Sequence, residues 1–219
     1  TTLDEAISQL AVGAFFFAMR SCEYSKVSKS TERRTKLLVI CNIRFFQRRR
    51  ECPHSDPALH LADSVSITFE FQKNDERDAT ITMHRTGDST LCPVSSWSSI
   101  VRRIRAIPGT SNSSPVCTYL WADGTPGLVT SKQILDRIRD RVTAVGKDVL
   151  GFEAWEVGTH SIRSAAAMAM YLAGVPVYTI MLIGRWSSDA FLRYIRHQVQ
   201  EFSAAVSSWM ILSEDFFTI

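Results

Sequence analysis

The sequence predicts an α+β domain, mostly helical, with a small antiparallel three-stranded sheet near its start. Apolar residues recur at helical spacing at the beginning of the chain and over most of its second half, whereas residues 65–71 alternate strictly. No internal repeat or low-complexity run interrupts this order. A helix, a cluster of strands and then a run of helices is the pattern of a sheet covered by segregated helices.

Thr2-Leu3-Asp4-Glu5 fits a capping box, so residues 3–19 read as a helix with Ala6, Leu10, Ala14 and Phe17 on one stripe. Strands follow at 36–46, 65–71 and 79–83. In the second, Val65, Ile67, Phe69 and Phe71 face one way and Ser66, Thr68 and Glu70 the other. Residues 47–62, with Pro53 and Pro57, read as a long loop, of the length that is functional or mobile. After the second strand, QKNDERD places Lys73 at the mouth of a hairpin turn, with Arg77 and Arg85 nearby.

The second half is helical. Pro93 followed by Ser95 or Ser96 as N-cap opens a helix with Trp97, Ile100, Val101 and Ile104 inward. Thr130 or Ser131 caps the next, with Ile134, Ile138, Val142 and Val145 on its buried side. Residues 165–184 carry no charge over 20 positions, nominally enough to span a bilayer. Gly174-Val175-Pro176 breaks the run, so it reads instead as two short buried helices, 161–173 and 176–183, stopped by Gly174 and Gly184. Tyr171 and Tyr178, at apolar spacing within them, are expected in the core. Ser187 or Ser188 caps a helix carrying Tyr194, and 201–212 form a last amphipathic segment with Phe202, Val206 and Trp209 on one side.

Composition limits the function classes. The 219 residues are 45% hydrophobic and 21% charged, which describes an ordinary globular protein and excludes a disordered chain. A net charge of +3, from 25 basic and 22 acidic residues, does not announce nucleic-acid binding. Local clusters say more. Those at Arg102, Arg103 and Arg105 and at Arg137, Arg139 and Arg141 have helical spacing and read as solvated faces. The run Arg48, Arg49, Arg50 falls in loop context and reads as a contact to phosphate backbone. Five cysteines form no even framework, which implies a reduced, intracellular protein, nuclear if the source is eukaryotic. Cys41, Cys52, His54 and His60 match no standard zinc spacing, so no metal is expected.

The chemistry-bearing residues cluster in 158–196. His160 and Arg163 stand one helical turn apart, and Tyr194 lies 31 positions beyond Arg163 and ten beyond Gly184. A histidine, an arginine and a tyrosine supply an acid/base, an anion clamp and a nucleophile, a set for phosphoryl chemistry. Upstream, Arg20 and Glu23 stand three apart in FAMRSCEYSKV, a spacing that by itself describes a surface ion pair.

These motifs together resemble the tyrosine recombinases, the phage-integrase family. The likeness rests on Arg20-x-x-Glu23, the His160-x-x-Arg163 pair, and the Gly184-x(9)-Tyr194 run. It implies that Arg20 and Arg163 clamp a DNA phosphate, that Tyr194 attacks to form a 3′-phosphotyrosine, that Lys73 protonates the leaving oxygen and that His160 assists proton transfer. Glu23 would support the arginines. It further implies that no cofactor is needed and that the partner is double-stranded DNA, gripped by a homo-oligomer, a tetramer on DNA or a monomer as an isolated fragment. The family's separate N-terminal core-binding domain has no counterpart here, so residues 1–219 read as one catalytic domain, with 198–219 available for exchange between protomers. One departure stands out. The family usually has His or Trp directly after the glycine, and this chain has Arg185 there, with Trp186 next, similar to recombinase-like genes of the Crypton and DIRS mobile elements. Arg185 as a third clamp or Trp186 through its indole N–H could support the phosphate. Alternatives are a catalytically inactive DNA-binding descendant, a type IB topoisomerase-like enzyme and a helix-turn-helix regulator.

Overall fold

The computed structural model describes residues 2–27, 35–71 and 77–186. The chain divides into two compact units, Thr1–Ala166 and Ala167–Ile219. Among the described residues, no helix is long and apolar enough to cross a membrane.

The first unit is α+β. Helix α1, Leu3–Phe16, begins at Thr2, whose hydroxyl accepts from the Glu5 N–H while the Glu5 carboxylate accepts from the Thr2 N–H at 2.8 Å. This reciprocal cap satisfies two donors that a helix start leaves open. The helix ends three residues short of the expected 19. Ala18 adopts a left-handed φ of 44°, and Met19 N–H reaches back to the Ala14 carbonyl while Ala18 N–H bonds Phe15. That is a Schellman closure with alanine where glycine is usual. A one-turn helix α2, Ser21–Tyr24, follows.

The sheet has four strands rather than three. Strands β1 (Ile43–Gln47), β2 (Arg50–Cys52), β3 (Ser64–Phe71) and β4 (Arg77–His84) lie in the order β2-β1-β3-β4, every neighbour antiparallel. Two expectations are corrected here. The strand expected over 36–46 starts only at Ile43, because Ile40–Asn42 form a 3-10 turn instead. Ile40 and Cys41 donate to Ser114 and Asn112, and the Asn42 side chain accepts from Val39 N–H at 2.9 Å, so this half of the run is held by a distant loop rather than by the sheet. The expected loop 47–62 contains the extra strand β2, entered through a two-residue reversal at Arg48-Arg49.

Alternation decides which face is buried. Ile43 and Phe45 of β1 and Val65, Ile67 and Phe69 of β3 are all at most 2% exposed, while Ser66 and Thr68 pair their hydroxyls with Thr82 and Thr80 on the opposite face. Helix α3, Pro93–Arg105, packs beneath this apolar layer and against α1. Its N-cap is Cys92, with Pro93 as first helical residue, not the expected Ser95 or Ser96. Trp97 is fully buried and meets Phe17 edge-to-face at 6.1 Å, and a Cβ on Gly13 would stand only 3.0 Å from its indole. Burying each such ring contributes about 1.5–3 kcal/mol. A two-stranded sheet, β5 (Thr118–Leu120) with β6 (Pro126–Leu128), leads into α4, Ser131–Val145, capped by Thr130 and Gln133. Of its expected buried stripe, Ile134 is buried and Val145 is 50% exposed. A short α5, Lys147–Leu150, then leads to α6, Ser161–Leu172, which begins in the first unit and ends in the second.

In the second unit, Gly174 at φ 72° stops α6, with Val175 N–H returning to Met170. Helix α7, Val177–Gly184, follows, and Ala167, Ile180, Met181 and Trp186 form a small cluster. The helices are less buried than expected. Leu172 and Leu182 are exposed, and Tyr178 is 71% exposed, so apolar spacing misassigned it to the core.

Candidate active site

Arg20 is set by Glu23. The Glu23 carboxylate accepts the Arg20 backbone N–H at 2.7 Å with one oxygen and its guanidinium at 3.0 Å with the other. Glu23 is fully buried, while the Arg20 side chain keeps 17% exposure. The pair is therefore not the exposed surface pair that spacing alone describes. A buried carboxylate fixes both the backbone and the head group of an arginine that still reaches solvent, which suits recognition of an anion.

Arg163, the third residue of α6, is 3% exposed and donates through Nη1 to the Ala18 carbonyl at 2.5 Å. The acceptor lies two residues before Arg20. The left-handed turn that ends α1 thus offers its carbonyl to the arginine of a motif 145 positions later. Side chains reinforce the junction. Tyr24 of α2 and Ile134 and Ile138 of α4 line one small recess with Thr159 and Ile162. Burial, then the adjacent Glu23 charge, raises the Tyr24 phenol far above its usual range, so it stays neutral in this packing.

His160 directly precedes α6 and is exposed, its carbonyl accepting from Ser164 N–H at 3.0 Å. His160 stands immediately before the first helical residue and Arg163 is the third, with His160 exposed and Arg163 buried.

Arg185 and Trp186 belong to the second unit. Arg185, not Gly184, is the left-handed residue closing α7, with φ 55°, and Trp186 N–H returns to the Met181 carbonyl at 2.9 Å. The Trp186 ring folds back over Gly184, where a Cβ would stand 1.7 Å from it, so a side chain here would have to displace the indole. Arg185 is 3% exposed and donates through Nη1 to the Ile183 carbonyl at 3.0 Å. Its head group is engaged at its own helix end.

Lys73 and Tyr194 lie outside the described residues. The strands on either side of Lys73, β3 and β4, pair antiparallel. Its neighbour Arg85 is committed elsewhere, donating to the carbonyls of Ala62, at 3.1 Å, and His60. Arg48, Arg49 and Arg50 are all exposed at the sheet edge.

The remaining basic clusters have structural roles. Arg103 is buried, bonded to Gln9 and the Val116 carbonyl, and burial lowers it to about 10, so it does not belong to a solvated face. Arg137 pairs with Asp4 at 2.6 Å, and Arg139 donates to the Val157 carbonyl at 2.9 Å. Cys52 faces the core beside Phe45, and the His54 ring meets the Ile43 carbonyl at 2.7 Å. Among the described residues no group of three His, Cys, Asp or Glu is placed to hold a metal.

Sequence reasoning missed Ala18. Alanine is not a helix-stop residue, and nothing local marks its carbonyl as the acceptor of a distant arginine. A scan against protein-family models found no match, and no curated protein matches the chain.

Proposed function

We propose that this chain is the catalytic domain of a tyrosine-type DNA recombinase, which cuts and rejoins DNA through a 3′-phosphotyrosine. One observation carries the reading: the Arg163 guanidinium bonds to the Ala18 carbonyl, beside Arg20, so the two arginine motifs are packed into one structure. Two unrelated surface motifs would have no reason to converge through a buried guanidinium.

In this reading a phosphodiester sits against Arg20 and Arg163, whose N–H groups stabilise the charge that grows on its non-bridging oxygens in the transition state. Glu23 and the Ala18 carbonyl hold the two guanidiniums before substrate arrives, so little reorganisation is left for the reaction. The Tyr194 oxygen attacks phosphorus and the 5′ oxygen departs with a proton from Lys73. His160, free to solvent at the head of α6, takes up the phenolic proton. The broken P–O5′ bond is replaced by a P–O bond to Tyr194 of similar energy, so a 5′ hydroxyl from another strand can attack the phosphotyrosine, release the tyrosine and complete exchange.

A second reading, a DNA-binding descendant that no longer cuts, is favoured by Arg185. Its guanidinium is buried and turned back to the Ile183 carbonyl of its own helix end. The test is incubation with nicked duplex DNA in EDTA, followed by denaturing electrophoresis. The recombinase reading expects a covalent protein–DNA adduct that Tyr194→Phe abolishes and Tyr178→Phe, a control for the exposed tyrosine, leaves intact. Binding without adduct selects the second reading.

A further inference from the structure

We infer that the β1–β2 hairpin is a preformed clip for the phosphates of double-stranded DNA, separate from the arginines of the candidate active site. The inference rests on DNA being the substrate.

Gln47 pairs with Arg50, leaving Arg48 and Arg49 as a two-residue turn. Their φ angles are 48° and 66°, both left-handed, which defines a turn that favours Asn-Gly and penalises side chains with a Cβ. Two adjacent arginines in this position are locally unfavourable, and the fold holds them there. Arg48 N–H donates to the Asp63 carboxylate at 2.5 Å, and Asp63 is tied by its own N–H to Phe46 and by its carbonyl to Arg85. The turn is therefore anchored through Asp63 to Phe46 of β1 and to Arg85 just beyond β4.

The charge at this tip is unspent. Arg48, Arg49 and Arg50 are all exposed, and among the described residues none forms an ion pair, although Glu51 and Asp56 line the same recess of about 640 Å³. By contrast, Arg20 pairs with Glu23 and Arg137 with Asp4. Three guanidiniums on a rigid reversal match anionic oxygens spaced along a backbone. The tip, QRRRE, carries no apolar residue that could enter a bilayer, which favours a nucleic acid over a lipid surface.

Binding of a fluorescent duplex of arbitrary sequence, followed over a range of salt concentrations, tests this. Each phosphate contact contributes about 0.9 to the slope of log K against log salt, so Arg48→Asn/Arg49→Gly/Arg50→Gln should lower the slope by about 2.7. The first two substitutions suit the turn, so thermal unfolding should confirm a folded variant, and Arg48→Lys/Arg49→Lys/Arg50→Lys should keep the slope. A variant with unchanged affinity and slope overturns the clip. If that variant still forms the Tyr194 adduct, only the clip falls; if the native chain binds no duplex, the DNA reading falls with it. Binding to phosphatidylserine vesicles but not to duplex also overturns it.

Discussion

The Arg163 guanidinium and the Ala18 carbonyl meet at 2.5 Å, and Ala18 holds a left-handed φ of 44° at the point where α1 closes. The turn that closes α1 thus supplies one acceptor to a buried guanidinium from a helix 145 positions later in the chain.

Arg163→Ala leaves the buried Ala18 carbonyl without this donor. The expected loss is about 1–3 kcal/mol in urea unfolding, together with loss of adduct formation. Arg163→Lys should recover part of the stability and none of the adduct, because an ammonium lacks the planar fork. An Arg163→Ala variant as stable as the parent would show that the contact is not structural.

Glu23→Ala removes the acceptor of both the Arg20 N–H and its guanidinium. With Glu23 buried and Arg20 partly solvated, a cost of about 2–3 kcal/mol is expected, below that of a fully buried pair. Glu23→Gln keeps one acceptor and should cost less. Its adduct rate should nonetheless fall, since the amide holds the Arg20 guanidinium more weakly. Unfolding midpoints and single-turnover cleavage separate the two effects.

Arg48→Asn/Arg49→Gly relieves two left-handed arginines and should raise stability by about 1–2 kcal/mol. Calorimetric unfolding measures it. No gain would mean that the hairpin is relaxed as it stands.

Glu70 links pH to the sheet. A hydrogen bond from the Asn42 amide at 2.8 Å, then one from Lys36, holds its carboxyl below the usual carboxylate range. A depressed folded pKa stabilises the folded chain above the unfolded value of 4.5 and loses that contribution as pH falls through the folded value. The parent should therefore lose more stability than Asn42→Ala on acidification from pH about 5 to about 3. Equal losses would place the acid sensitivity elsewhere.

Local rules were enough wherever the deciding interaction was itself local. The Thr2–Glu5 and Thr130–Gln133 caps, the alternation of β3 and the stop at Gly174 each depend on residues within a few positions. Where a distant partner decides, the sequence was silent. Ile40–Asn42 leaves the sheet because of Asn112 and Ser114, and β2 exists because Asp63 pins a turn that lacks Asn and Gly. The same holds at the candidate site. Arg20 and Glu23 were visible by spacing, but their burial was not, and Ala18 carries no signal at all. Tyr178 shows the converse error, since apolar spacing cannot tell an outward helix face from an inward one.

The most direct test of the account is to locate the bond to DNA. The adduct formed on nicked duplex would be digested with nuclease and protease, and the nucleotide-bearing peptide sequenced by mass spectrometry. The account predicts a nucleotide joined through a 3′-phosphate to Tyr194. A nucleotide on any other residue, Tyr178 included, would contradict it.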